Sequence, residues 1–161
     1  MSKGTSTEAI TVRRADEQDA DAIAHLSADL GYPVSDETMR VRVRAVGAST
    51  SDLLVVATNP SGEIVGWLQA HSAYLVESGF RVEIVGLIVS PAARRTGIGR
   101  ALVAAAERWA TSLRAEFIVV RSNAKRTESH IFYPALGFDA TKTQHVYRKS
   151  LLNINQAKER A

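Results

Sequence analysis

From Ser90 to Leu102 the chain reads SPAARRTGIGRAL: Arg94, Arg95 and Arg100 stand around Gly97 and Gly99, and helical sequence follows at once. Main-chain N–H groups at a helix start have no partner inside the helix, and the helix dipole adds about half a positive charge there. Glycines let an anion approach that backbone without a Cβ in the way. The stretch is therefore suited to a diphosphate, the other reading being a glycine-assisted turn with solvated arginines. Two familiar phosphate loops fail on spacing. GxxxxGK followed by Ser or Thr is absent, and GxGxxG fails because Leu102 holds the third glycine position.

Glu83 interrupts the apolar run RVEIVGLIV. A carboxylate there is costly unless it is paired or useful, and burial would push it toward the role of a base; pairing with Arg81 is the alternative. Gly86, inside the same run, points to a bulge or else to a close contact with a neighbouring side chain. His130 lies three residues before Tyr133 on the same helical segment, on a neighbouring face. The four histidines show no ligand spacing and cysteine is absent, so no metal is expected.

These residues need a frame. ITVRRA reads as a strand. Asp16 and Ser35 are placed to cap two helices, the first with Ala20, Ile23, Leu26 and Leu30 at helical spacing, the second with Met39, Val43 and Val46. LLVVAT and EIVGWLQAHSAYLV pair as a hairpin across the turn NPSG. RVEIVGLIV is apolar enough for a strand covered on both faces in the middle of a sheet. Ile98, Leu102, Ala105, Ala106, Trp109 and Leu113 make one stripe of a helix that runs to Arg114. FIVVRS reads as a strand, ESHIFYPAL as a short helix in which Pro134 is a potential kink, and TQHVYRKSL as a closing strand. The order β-α-α-β-β-β-α-β-α-β-β gives an α/β fold with a mixed sheet.

With 161 residues and no repeat, one domain is expected over 10–151, between a flexible N-terminus (1–9) and a C-terminal tail (152–161). Twenty Lys and Arg against 17 Asp and Glu suit an anionic ligand. Aromatic residues make up 6% of the chain, too few for a base-stacking nucleic-acid module. No run of about 20 apolar residues would cross a membrane, and without a signal peptide or cysteine a cytoplasmic protein is expected.

Set between an apolar strand and an amphipathic helix, the arginine-glycine loop resembles the acetyl-CoA loop of the GNAT superfamily of N-acetyltransferases, Q/R-x-x-G-x-G/A; Arg94, Gly97 and Gly99 fit it. SNAKRTESHIFYPALGF resembles that family's later segment, an Asn beside the fifth strand followed by a helix carrying FYxxxGF, through Asn123, Phe132, Tyr133, Gly137 and Phe138. The resemblance implies a central sheet flanked by helices and splayed between strands four and five. In that gap the pantetheine arm would pair with the backbone of Leu87, Ile88 and Val89, and the diphosphate would sit on Arg94, Arg95, Thr96, Gly97, Ile98, Gly99 and Arg100. It further implies Asn123 on the pantetheine amides, Glu83 as general base near the acceptor, Tyr133 as the acid for the departing sulfur, Tyr32 in the acceptor-binding loop, and a bulge at Gly86 that aims an N–H near Leu87 or Ile88 at the thioester oxygen. His130, on the face beside Tyr133, could touch substrate or cofactor, or else be structural. The activity implied is acetyl transfer from acetyl-CoA to a primary amine of a small molecule. A protein or peptide amine, or a non-catalytic acyl-CoA sensor, are the alternatives. Apolar sequence near the C-terminus is compatible with a homodimer, as in many relatives.

Overall fold

The structure, a computed structural model, describes residues 9–152. In chain order it contains β1 (Thr11–Arg14), α1 (Ala20–Asp29), α2 (Asp36–Ala48), β2 (Asp52–Thr58), β3 (Ile64–Leu75), β4 (Gly79–Val89), α3 (Ile98–Ser112), β5 (Phe117–Val120) and α4 (Ser129–Ala135). The strands form one sheet in the order β1-β2-β3-β4-β5, antiparallel except for the parallel pair β4 and β5. Residues up to Arg121 make one compact unit and those from Ser122 onward a second.

Local chemistry explains where the first elements begin. The Asp16 side chain accepts from Gln18 N at 2.8 Å, and Asp16 N donates to Asp19 Oδ2 at 2.9 Å, a reciprocal cap on the helical turn that leads into α1. Buried Asp19 also takes both ends of the Arg13 guanidinium fork, at 2.7 and 2.8 Å. The Arg13 hydrogen bonds hold its carboxyl below the usual range against the opposing effect of burial, with help from the Asp16 N–H. Ser35 accepts from Thr38 N and starts α2, as its position predicts.

The sheet is covered differently on its two faces. On one, Val82 and Ile84 of β4 and Leu68 of β3 are buried, and α3 packs there through Ile98, Leu102, Val103, Ala106 and Ala110. Each Val, Leu or Ile side chain buried there stabilises the fold by about 1.5–3 kcal/mol, and each alanine methyl by about 0.8 kcal/mol. The buried stripe of α3 is turned toward Val103 and Ala110 relative to the expected one, leaving Trp109 and Leu113 half-buried at its border. On the other face, α1 and α2 contribute Ala20, Ile23, Ala24, Met39 and Val43 to a cluster with Val56, against which Leu54 and Trp67 pack.

The apolar strand expected in the middle of the sheet is β4, but β3 holds that place. Among the described residues, β4 is flanked on both sides only where Arg81–Ile84 pair with Phe117–Val120; beyond Ile84 it has β3 on one side and no described strand on the other. Its second half is apolar yet only half-covered. This divergence of β4 from β5 is the splay that the resemblance implies.

In the second unit, α4 carries Pro134 in its last turn and ends at the next residue, Ala135, so the proline terminates the helix and does not break it earlier. The closing strand expected over TQHVYRKSL does not form: no strand occurs after α4 among the described residues, and Val146 and Tyr147 are exposed. Alternating apolar residues make a strand only when a neighbour accepts their main-chain hydrogen bonds, and this unit holds no other strand among its described residues.

Candidate active site

The register of β3 and β4 slips between Gln69 and Ala70. Gln69 pairs with Gly86 and Ala70 with Ile84, so Val85 is an extra residue, a bulge, and lies half-exposed. The bulge falls one residue before the glycine that signals it. It resets the alternation of β4, and Gly86 comes to lie beneath Trp67 of β3: a Cβ there would sit 2.7 and 2.8 Å from two atoms of the indole ring. Trp67 Nε1 is buried without a hydrogen-bond partner among the described residues. From the bulge to Val89, the outward-facing N–H and C=O groups of β4, including those near Leu87 and Ile88, face no strand among the described residues.

A short helical turn, Pro91–Ala93, joins this open edge to the arginine-glycine loop. Arg95 has φ 62° and Gly97, the residue before α3, has φ 86°, both in the left-handed region. Glycine meets that requirement without strain, whereas at Arg95 it costs on the order of 1 kcal/mol. The first main-chain bond of α3 is donated by Ala101 to Gly97 O at 3.0 Å, so the N–H groups of Ile98, Gly99 and Arg100 lie ahead of it. Thr96 Oγ1 donates to Ala93 O and ties the loop down. Arg94, Arg95 and Arg100 are all exposed around these donors. Open strand edge, loop and helix start are thus consecutive in the chain, and three arginines stand around the N–H groups that begin α3.

Glu83 precedes the bulge by two residues and points to the face opposite α3. Its Oε2 accepts from Arg81 Nη2 at 3.0 Å and its Oε1 lies 3.4 Å from Arg121 Nε, just past β5. Glu83 is 17% exposed, as covered as its strand position suggests, and it is paired with Arg81. It also stands in a row across four strands, Asp52, His71, Glu83 and Val119, each directly opposite the next. Asp52 Oδ1 lies 3.2 Å from His71 Nδ1 and accepts from Gln69 Nε2 at 3.3 Å. Burial pushes the Asp52 carboxyl up, and hydrogen bonds from Ser49, Gln69 and His71 more than offset it, leaving it below the ordinary value. An ionised carboxylate only accepts, so Nδ1 of His71 carries the hydrogen.

Tyr32 follows α1, more than half exposed, its N–H bonded to Ser27 O at 2.9 Å. The remaining candidates belong to the second unit. Asn123 Oδ1 accepts from Lys125 N at 2.9 Å, shaping a tight turn before α4. Tyr133 is packed edge-on against Phe132 and Phe138, with ring centroids 5.0 and 5.5 Å away. Burial pushes its hydroxyl pKa up, against a smaller opposing effect of Arg126, so it keeps its proton. His130 is exposed on the same helix. Arg121, Asp52 and His71 escape a reading of the chain alone. Only strand pairing shows them beside Glu83, although the polar positions Asp52, Gln69 and His71 within β-rich sequence were a signal.

The sequence pattern of the Acetyltransferase (GNAT) family matches residues 20–138. The chain belongs to the GNAT family. Aminoglycoside N(6′)-acetyltransferase type 1 of Stenotrophomonas maltophilia is 26% identical over 145 residues, 88% of this chain and 94% of that protein. Aminoalkylphosphonate N-acetyltransferase of Salmonella typhimurium is 35% identical over 79 residues, 48% of this chain and 51% of that one. Among solved structures, a transcriptional regulator of Bacillus halodurans C-125 is 29% identical with a TM-score of 0.79 over 88% of this chain and 100% of that one. An aminoglycoside N-acetyltransferase in complex with coenzyme A shares the GNAT fold at 22% identity and a TM-score of 0.79, over 88% and 95% of the two chains. Among the described residues no group of His, Asp or Glu is placed to hold a metal ion, and no helix is long and apolar enough to cross a membrane.

Proposed function

We propose that this GNAT acetyltransferase moves the acetyl group of acetyl-CoA directly to a primary amine of a small molecule. The observation that carries the reading is the continuity of the open β4 edge, the bulge at Val85 and the arginine-rich start of α3. A coenzyme A molecule offers a match to each part: amides in its pantetheine arm for the edge at Leu87, Ile88 and Val89, and a diphosphate for the donors from Arg94 to Arg100. The small-molecule acceptor is supported by the relatives that act on aminoglycosides and aminoalkylphosphonates.

In this reading the amine nitrogen attacks the thioester carbonyl carbon, the C–S bond breaks, and main-chain N–H groups near Leu87 and Ile88 stabilise the developing oxyanion. The ammonium first gives up a proton to Glu83, directly or through water. The departing thiolate takes one from the Tyr133 hydroxyl, and the second proton that the nitrogen sheds as the amide forms passes through solvent to restore the phenol; the role of Tyr133 rests on the FYxxxGF resemblance together with a hydroxyl that burial keeps protonated. Asn123 is assigned to pantetheine and Tyr32 to the acceptor on the family resemblance, and His130 to the acceptor because it stands one turn before Tyr133 on α4. Exposed Val146, Tyr147 and Leu151 support self-association as a homodimer, which sedimentation tests.

A panel of primary amines with acetyl-CoA, followed by thiol release, tests the proposal. Release with at least one small amine is expected. Tight binding of coenzyme A with no amine acetylated would favour a non-catalytic sensor.

A further inference from the structure

The ionic surroundings of Glu83 narrow the acceptor, on the footing that Glu83 meets the acceptor amine as proposed above. Two guanidiniums, Arg81 and Arg121, converge on this one carboxylate. The two are unlike. Arg81 is 15% exposed and close at 3.0 Å, held by the strand that carries Glu83. Arg121 is 59% exposed, reaches Glu83 at the longer 3.4 Å and comes from the end of β5, beside the divergence of the two strands. Nearby, Asp52 is engaged by Gln69 and His71 and does not reach the guanidiniums. Among the described residues the immediate site therefore carries two positive charges against one negative.

An amine with only positive charge gains little there. Its ammonium meets Glu83 beside two like charges, and in displacing Arg121 it leaves that guanidinium without its partner. An amine that carries its own anion makes a balanced exchange. The pairs Glu83 with Arg121 and ammonium with its own anion become Glu83 with ammonium and Arg121 with the anion, and every charge keeps a partner. Arginine suits the second half of the exchange, because its planar fork matches carboxylate and phosphonate oxygens.

We infer that the acceptor is a short zwitterionic amine, with a carboxylate or phosphonate a few bonds from the reacting nitrogen, and that Arg121 is the residue that selects it. The spacing follows from the geometry. Both groups must be met within reach of one carboxylate, so about one to three carbons separate nitrogen and anion at ordinary charged hydrogen-bond distances. Arg81, more covered and on the same strand, stays with Glu83 and orients it.

The test compares β-alanine and aminomethylphosphonate with propylamine, which lacks the anion, and spermidine, which is purely cationic. Thiol release gives kcat/KM for each, and calorimetry on the protein saturated with coenzyme A gives their affinities. The zwitterions are expected to exceed propylamine by about tenfold or more, the worth of one charged hydrogen-bonded pair, with spermidine below both. β-Alanine against aminomethylphosphonate tells which anion is preferred. In Arg121→Gln the zwitterion-to-propylamine ratio falls toward one, while Arg121→Lys keeps part of it. A ratio near one in the native protein, spermidine ahead of the zwitterions, or a ratio that survives Arg121→Gln overturns the inference. Arg121-dependent binding of zwitterions without thiol release from any amine would defeat the transfer reading and leave this one standing. Thiol release without the ordering would do the reverse.

Discussion

Replacing Gly86 with Ala tests the bulge that opens the β4 edge. The new Cβ would sit 2.7 and 2.8 Å from two ring atoms of Trp67, where ordinary contact begins at 3.4 Å. Ring or strand must then yield by about 0.7 Å, and overpacking of that kind costs about 1–3 kcal/mol. The ring cannot swing away freely, because it packs against the cluster built from Ala20, Ile23, Met39, Val43 and Val56. Alanine recovers about 0.5–1 kcal/mol through its lower unfolded-state entropy, which leaves a net loss of about 1–2 kcal/mol. For a chain of this size that lowers Tm by about 3–6 °C. Thermal unfolding of Gly86→Ala, Trp67→Phe and the double variant forms a cycle that isolates the contact. Phenylalanine lacks the two offending ring atoms and also removes the indole N–H that is buried without a partner. Gly86→Ala should therefore cost at least about 1 kcal/mol less in the Trp67→Phe background. Equal costs in both backgrounds, or a Gly86→Ala variant as stable as the native protein, would refute the argument.

Three further outcomes follow from the same geometry. Gly97→Ala meets no atom within 4 Å but forces a left-handed φ on alanine, so stability should fall by about 1–2 kcal/mol while calorimetry shows coenzyme A affinity down by about tenfold or more. Asp19→Ala should cost about 2 kcal/mol by denaturant unfolding, because it strips a two-pronged Arg13 pair and the Asp16 N–H bond. Since the folded pKa of Asp19 is depressed, its contribution is present above the unfolded value, about 4, and is lost as pH falls through the folded one; the variant should show a shallower loss of stability in acid. Tyr133→Phe should slow thiol release by about a hundredfold and leave coenzyme A binding intact, and an equal loss of both would make the residue structural.

Much of the frame is legible in the chain because local chemistry dictates it. Asp16 and Ser35 cap where expected, the NPSG turn closes a hairpin, and Gly97 both starts α3 and supplies its positive φ. Gly86 announced a bulge, and both of its readings hold at once: the register slips at Val85 and the Trp67 ring lies on the glycine. What escaped was non-local. The apolar run of β4 looks like a middle strand because composition reports burial and not which edge is paired, and its outer neighbour stops at Val120. TQHVYRKSL has the alternation of a strand but lacks a partner strand among the described residues, and the sequence pattern alone does not reveal that. The partners of Glu83 split in the same way. Arg81, two residues off, was readable, whereas Arg121 and the Asp52–His71 pair reach its neighbourhood only through strand pairing.

Amide hydrogen exchange with and without coenzyme A reports on the proposed seat of the cofactor, along the open edge of β4 and across the first turn of α3. Slowed exchange is expected in two short segments, 85–89 and 96–100, with little change in the already paired stretch 81–84. Binding that leaves both segments exchanging at their free rates, or protects a different part of the chain, would contradict that placement.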